Sequence, residues 1–238
     1  RLPGCAYLQS VGEAACAAGI EAGDVAAVEV EAGWLTCEME ELGAGQDISP
    51  VRVNFSATLT TAICLLAGRL TPAELAPAWL EENERAIRDL AARVSVRHDP
   101  ALTARTLLGT LEAGASPDLG LGDLLRIRRR LADANMDDAN PGPALLRAAA
   151  AEPRLRRAIS ASLRDRLRRR PAGAIADLDV ARLRMTFPSR LRIRLHDGSE
   201  RVVEGAEPAS CARPLEEQRA VVEEKCELAG LGASAPLS

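Results

Sequence analysis

Two stretches that lie far apart in this 238-residue chain alternate apolar and polar residues, and they limit its fold more than any other feature. The first is residues 26–31 (AAVEVE) and the second is residues 190–195 (RLRIRL). Such alternation predicts a strand with one buried face. Asp197-Gly198 then separates the second stretch from residues 201–204 (RVVE), which predicts a β-hairpin. The chain therefore contains few strands, and one hairpin closes it.

Helical patterns fill most of the remaining sequence. The run at residues 55–67 is nearly free of charge and ends at Gly68, which predicts a buried helix. Thr71 and Glu74 form a capping-box pattern around Pro72 and predict a helix start. The other predicted elements are helices near residues 4–19, 82–92 and 214–229, helices over most of 101–185, and a short strand at 94–96 that ends at residues 98–100 (HDP).

Strands separated by helices and closed by a hairpin predict an α+β fold with a small mixed or antiparallel sheet. Charge divides the chain further: residues 1–100 carry a net charge of −8, residues 101–170 carry +6 and residues 171–238 carry −2. We therefore expect residues 1–100 to form the first part of the α+β domain. Residues 101–185 are expected to be an inserted, arginine-rich helical segment, and residues 186–238 to complete the domain with the hairpin and a last helix.

Composition narrows the range of functions. Lys225 is the only lysine among thirty basic residues, so lysine catalysis is nearly excluded, and the arginine bias is typical of a GC-rich coding sequence. No apolar run approaches the roughly 20 residues that span a bilayer. The sequence also shows no secretory signal, and its start at Arg1 suggests a fragment, a processed subunit or a trimmed chain. We expect a soluble, cytoplasmic protein without a membrane partner.

The six cysteines are scattered, with no C-x-x-C pair, and they predict reduced, mostly buried thiols. With only two histidines and no cluster of cysteine and histidine, no metal site is expected.

Several segments, in order, resemble the C-terminal half of the 2-methylcitrate dehydratase and cis-aconitate decarboxylase family (MmgE/PrpD). The helix end at residues 62–71 is similar to the family pattern A-x-x-L-L-x-G-R-L-T, and the hairpin resembles V-x-V-x-L-x-D-G. The matching segments are residues 2–15 (LPGCAYLQSVGEAA), 62–71 (AICLLAGRLT), 98–100 (HDP), 192–198 (RIRLHDG) and 213–215 (RPL), followed by Lys225.

The resemblance implies a smaller α+β lid that closes over a large all-helical domain. It implies a lyase that dehydrates, isomerises or decarboxylates a small polycarboxylic or hydroxy acid without a metal or organic cofactor. Such chemistry needs a base, an acid and groups that hold carboxylates. The family's principal histidine and aspartate groups belong to the helical half, so we expect a helical partner half or subunit and a homo- or hetero-oligomer.

This sequence departs from the family pattern at several positions. The family's active-site tyrosine falls on Leu59, which has no proton to give, and a histidine of some members falls on Cys5. No lysine stands near Arg1, where the family carries one just before residue 2. Residues 101–185 have no counterpart in the family. A catalytically altered or silent relative that serves as a scaffold or interaction subunit is therefore the alternative.

The resemblance selects the candidate site residues, and each has a structural alternative. The catalytic candidates are Cys5, Tyr7 and Gln9; otherwise Cys5 is an inert thiol, Tyr7 packs in the core and Gln9 caps a helix. The substrate-binding candidates are Ser56, Thr58, Leu59 and Arg213; Thr58 otherwise bonds a helix carbonyl and Arg213 a nearby glutamate. His98 beside Asp99 suggests acid/base chemistry or a turn that ends a strand, whereas His196 is expected to face solvent.

A third class of function is binding through the arginine-rich helices. Residues 126–130 (RIRRR) and 164–170 (RDRLRRR) carry enough charge to contact phosphates. Interspersed acidic residues, the acidic balance of the chain and the absence of interleaved aromatic residues count against nucleic acid. The same surface is alternatively a docking site for an acidic partner or a second subunit.

Overall fold

The computed structural model describes residues 5–42, 47–112 and 186–205, together with isolated positions between 147 and 160 and between 219 and 227. A four-stranded sheet with the order β2-β1-β3-β4 lies at its centre. Strands β1 and β2 are parallel, whereas β3 is antiparallel to both β1 and β4. The strands are β1 (Val25–Ala32), β2 (Val94–His98), β3 (Ser189–Leu195) and β4 (Glu200–Gly205).

Helices accompany this sheet, so the described structure is a mixed α+β fold with a small mixed sheet, as the periodicity predicts. The helices are α1 (Gln9–Ala17), α2 (Trp34–Leu42), α3 (Pro50–Val53), α4 (Ala57–Ala67), α5 (Pro77–Ala91) and α6 (Pro100–Glu112), with short 3-10 helices at Ala6–Leu8 and Ala22–Asp24. None of the helices in the described ranges is long and apolar enough to cross a membrane.

The two faces of the sheet differ in chemistry. Val28, Val30, Leu191 and Ile193 are buried within the core, where α1 contacts β3 and β4 and α4 contacts β2. Because side chains alternate along a strand, the residues between them lie on the opposite face. Arginines and glutamates of β1, β2 and β3 form ion pairs on that face. The helices therefore cover an apolar face, and the other face carries charge.

Local signals placed several elements correctly. Strand β1 matches the alternation at residues 26–31, and the hairpin turns at Gly198, whose φ of 85° suits glycine. Helix α4 ends as predicted at Gly68, which has a φ of 68° and donates its N–H to the carbonyl of Cys64 at 2.9 Å.

The helix start predicted at Thr71 is wrong. Residues 72–75 form a turn, in which Glu74 still accepts a hydrogen bond from the N–H of Thr71 at 2.8 Å. Helix α5 begins at Pro77, because proline holds the preceding Ala76 in an extended conformation with a ψ of 134°. The helix predicted from residue 82 is thus one turn longer than expected.

Several predictions fall outside the described residues. Of the helical segment predicted at 101–185, the structure describes α6 and a few isolated positions, and the rest lies outside the described residues. Arg213, Lys225 and the start of the helix predicted at 214–229 also lie outside the described residues.

Candidate functional site

A cleft of about 220 Å³ lies beside the N-terminus of α4. It brings together Ser56, Thr58 and Leu59, the three substrate-binding candidates within the described residues. Residues of α2, α3 and α5 complete it. The lining residues are Glu40, Ile48, Arg52, Ser56, Thr58, Leu59, Arg88 and Ala91.

The local sequence fixes the start of α4 at the cleft. Ser56 is the N-cap residue: its backbone is extended and its hydroxyl accepts a hydrogen bond from the N–H of Leu59 at 3.1 Å. Leu59 is 5% exposed and gives the cleft an apolar wall. Leu59 stands where the family that this sequence resembles carries a tyrosine, so this position has no ionisable group.

Glu40 brings a carboxylate from α2 to the first turn of α4. One oxygen accepts the hydroxyl of Ser56 at 2.9 Å, and the other accepts the N–H groups of Ala57 and, at 3.2 Å, Thr58. The start of a helix favours negative charge because its first N–H groups lack helical partners. This end of the cleft therefore has the donors that a carboxylate needs, and the chain's own Glu40 engages them.

Two arginines give the cleft positive charge. Arg52 follows the N-cap of α3 and donates a guanidinium N–H to the carbonyl of Asp47. Arg88 lies on α5 and pairs with Glu84, at 2.6 Å, on the exposed side of that helix. Planar guanidinium groups suit carboxylates because they donate two parallel hydrogen bonds. The lining therefore has two cations and one carboxylate, and Glu84 already pairs with one of the two cations.

Cys5, Tyr7 and Gln9 lie elsewhere, where the chain enters α1, and none of them lines the cleft. Tyr7 is buried and its ring meets that of Phe187 edge to face, with 6.3 Å between centroids. Burial, together with the Cys5 thiol beside it, raises the pKa of Tyr7. Gln9 is buried as the first residue of α1. The structure thus separates the catalytic candidates from the substrate-binding candidates.

The sequence did not identify Glu40, Arg52 or Arg88 as site residues. Glu40 lies on α2, a helix that no sequence pattern predicted, and its partners on α4 are 16 to 18 residues away. Arg52 and Arg88 belong to separate helices. No local signal joins these residues, because packing brings them together.

A second charged cluster surrounds Glu31 on the charged face of the sheet. Its side chain is 4% exposed and accepts hydrogen bonds from Arg190 at 3.0 Å, from Arg192 at 3.3 Å and from Arg97. Burial raises the pKa of Glu31, but hydrogen bonds from Arg190 and Arg192 and the charges of Arg192 and Arg97 outweigh burial and lower it overall. This cluster joins three adjacent strands, so we assign it a structural role.

His98 and Asp99 lie where β2 ends and α6 begins. His98 is the last residue of β2, and Asp99 begins α6 by accepting the N–H of Ala101 at 2.7 Å. His98 Nε2 lies 2.8 Å from the hydroxyl oxygen of Thr103. His196 is exposed in the hairpin turn, as predicted. These contacts give His98 and Asp99 partners within the fold at the junction of β2 and α6.

Within the ranges described above, no group of three or more histidine, cysteine, aspartate or glutamate residues could hold a metal ion. A scan of the chain against protein-family models finds no match, and a search of curated proteins finds no relative. The resemblance to the MmgE/PrpD family therefore depends on the sequence motifs alone.

Proposed function

We propose that this chain is the lid-type part, or a lid-type subunit, of an MmgE/PrpD-like lyase in the cytoplasm. The substrate is a small polycarboxylic or hydroxy acid, which the enzyme dehydrates, isomerises or decarboxylates without a cofactor. The principal acid and base groups come from an all-helical half outside these 238 residues. Residues 1–100 and 186–238 form the lid, and residues 101–185 are an insertion in it.

One observation carries this proposal. Ser56, Thr58 and Leu59, the candidates chosen from the resemblance, line the same cleft as Arg52 and Arg88. A substrate with two or three carboxylates needs several hydrogen-bond donors at once, and two guanidinium groups together with the hydroxyl of Thr58 supply them. The volume of about 220 Å³ lies below the roughly 300–1,000 Å³ of typical ligand pockets, so it has room for at most one small acid and not for a large cofactor.

Binding by the full 238-residue chain tests the proposal. Calorimetric titration with citrate, 2-methylcitrate and cis-aconitate should detect binding of at least one acid. Arg52→Gln and Arg88→Gln should each weaken it about tenfold, since one charge-assisted hydrogen bond is lost. Arg85→Gln is the matched control, because Arg85 lies on the same helix with a side chain 96% exposed. Binding of none of the acids, or an equal loss with Arg85→Gln, would refute this substrate class.

A specific observation favours a second candidate, a catalytically silent scaffold or interaction subunit. Leu59 gives the cleft no proton donor, and Glu40 already engages the hydroxyl of Ser56 and the first N–H groups of α4. A negative charge at this position opposes a substrate carboxylate. An assay of the complex isolated with its helical partner separates the two candidates: turnover of any of the three acids supports the lyase, whereas a complex without turnover supports the scaffold.

A further inference from the structure

Helix α2 has an outer face that is both apolar and acidic. Trp34, Leu35, Glu38 and Glu41 lie on one side of this helix at 3.6 residues per turn. Trp34 and Leu35 are each 37% exposed, and Glu41 is exposed as well. The indole N–H of Trp34 donates a hydrogen bond to the carboxylate of Glu38 at 3.0 Å. We call these four residues the outer face of α2.

The inner side of α2 is bound within the fold. The hydroxyl of Thr36 donates to the carbonyl of Tyr7 at 3.2 Å, and Glu40 accepts the hydroxyl of Ser56 at 2.9 Å. The helix carries three glutamates and no basic residue. The outer face is therefore the side of this acidic helix that suits a basic partner.

The chain between α6 and β3 leaves and returns beside the start of α2. Thr103, near the start of α6, accepts the N–H of Trp34 at 2.9 Å. Ser189, the first residue of β3, pairs with Ala32, two residues before Trp34. Residues 113–185, which contain both arginine runs, are therefore tethered near α2 at both ends.

Residues 124–131 (LLRIRRRL) have the chemistry that the outer face of α2 needs. They hold four arginines, four leucine or isoleucine residues and no acidic residue. Arginine pairs with carboxylates, and its planar guanidinium group stacks on aromatic rings such as that of Trp34. The apolar residues match Trp34 and Leu35. Charge and apolar character are therefore both complementary between the two segments.

The length of the chain allows this contact. Glu112 ends α6 nine residues after Thr103, about 14 Å away at 1.5 Å per residue. Residues 113–123 extend at most about 3.5 Å each, or about 38 Å in all. Residues 124–131 can therefore return to α2. Because tethering gives an effective concentration on the order of millimolar, the contact forms even at low intrinsic affinity.

We propose that residues 124–131 bind the outer face of α2 within the same chain. Their arginines pair with Glu38 and Glu41, and one guanidinium group stacks on the ring of Trp34. Their apolar residues cover Trp34 and Leu35. The arginine run that could dock an acidic partner or a second subunit is thus engaged by the chain's own acidic helix.

Carbodiimide cross-linking of the full 238-residue chain tests the contact, because the reagent joins a carboxylate directly to an amine. Lys225 is the only lysine of the wild type, so an introduced lysine reports with little background. Arg128→Lys keeps the positive charge and adds the amine. We expect an amide bond between the introduced lysine and Glu38 or Glu41, found in the monomer band of a denaturing gel. Fragmentation of the joined tryptic peptides identifies the linked residues.

Arg194→Lys is the matched control. Arg194 is exposed and pairs with Ala27, near the end of β1 that is remote from α2. The lysine introduced there should give no link to Glu38 or Glu41. The proposal is overturned by the absence of a link from Arg128→Lys or by an equal link from Arg194→Lys. A link confined to the dimer band also overturns it, because the occupant would then be a second copy.

The fluorescence of Trp34 gives a second measurement, for which Trp79→Phe leaves it as the only tryptophan. Three consecutive arginines are then replaced, as Arg128→Gln/Arg129→Gln/Arg130→Gln. The matched control removes the same charge from exposed positions on α5, α6 and β3, as Arg85→Gln/Arg105→Gln/Arg194→Gln. Only the first variant should shift the emission to longer wavelength and increase quenching by acrylamide, because the ring gains solvent. Circular dichroism checks that both variants fold, and equal quenching of the two overturns the proposal.

Discussion

The side chain of Glu31 shows what a single residue contributes in this fold. A carboxylate that is 4% exposed is expensive to bury unless its oxygens receive hydrogen bonds. Arg97 on β2 and Arg190 and Arg192 on β3 supply these bonds from both neighbours of β1. Arg190 continues the chain of contacts to Glu204 on β4 at 3.1 Å. One row of opposite charges therefore crosses the whole sheet.

Replacing Glu31 by glutamine tests this interpretation. Glu31→Gln keeps the size of the side chain but removes the charge that three arginines share, so we expect the free energy of unfolding to fall by about 3 kcal/mol. Glu200→Gln is the control on the same sheet, since the side chain of Glu200 is 53% exposed, and it should change stability by less than about 0.5 kcal/mol. Urea denaturation measures both. Equal stability of the two variants would contradict a structural role for the cluster.

The arginines of β3 show which features of single residues can be predicted from the sequence. Alternation at residues 190–195 predicted a strand, and the strand is present. The pairing of Arg190 with Glu31 could not be predicted, because it depends on the register between two strands that 159 residues separate in the sequence. The contacts of Glu40 in the cleft could not be predicted from the sequence either. Local patterns identify elements, and the family resemblance selected Ser56, Thr58 and Leu59, whereas the charges beside them come from long-range packing.

At the scale of whole elements, the sequence predicted some helices and missed others. Helix α4 was predicted from its uncharged run and from the glycine at its end, and the structure shows Gly68 as the C-cap and Ser56 as the N-cap. Helix α2 was missed, and the cause is visible at its first residue. The N–H of Trp34 donates to the hydroxyl of Thr103 at 2.9 Å, so a residue on α6 satisfies the start of α2. A helix whose N-terminus is satisfied from a distant segment has no local start signal.

The contact between α1 and β4 gives a prediction at this scale. A Cβ atom added at Gly205 would lie 2.8 Å from the carbonyl carbon of Ser10, and closer still to its oxygen. Backbone cannot yield as a flexible side chain does, so Gly205→Ala should push α1 from β4 and lower the free energy of unfolding by about 3 kcal/mol. Gly23→Ala is the matched control, because nothing lies within 4 Å of its added Cβ. Thermal denaturation compares the two, and similar melting temperatures would contradict the close contact.

For the molecule as a whole, two buried carboxylates link stability to pH. Glu74 is 1% exposed and lies outside the sheet, where Arg69 binds one oxygen at 2.7 Å and Thr71 binds the other. Burial raises the pKa of Glu74, but the hydrogen bonds from Thr71 and Arg69 outweigh burial and lower it overall. Glu31 shares this direction. Both groups therefore release their protons more readily in the folded chain than in the unfolded chain.

The lowered pKa values of Glu31 and Glu74 determine how the stability of the fold changes with pH. A carboxylate with a lowered pKa stabilises the fold fully well above its unfolded pKa of about 4.3, and the contribution is lost as pH falls through the folded pKa. Urea denaturation should therefore show a free energy of unfolding that falls with pH below about pH 5. A Glu31→Gln/Glu74→Gln double variant should be less stable at neutral pH and depend less steeply on pH, whereas Glu200→Gln should follow the wild type. If the free energy of unfolding of the double variant falls with pH as steeply as that of the wild type, other carboxylates are responsible for the lost stability.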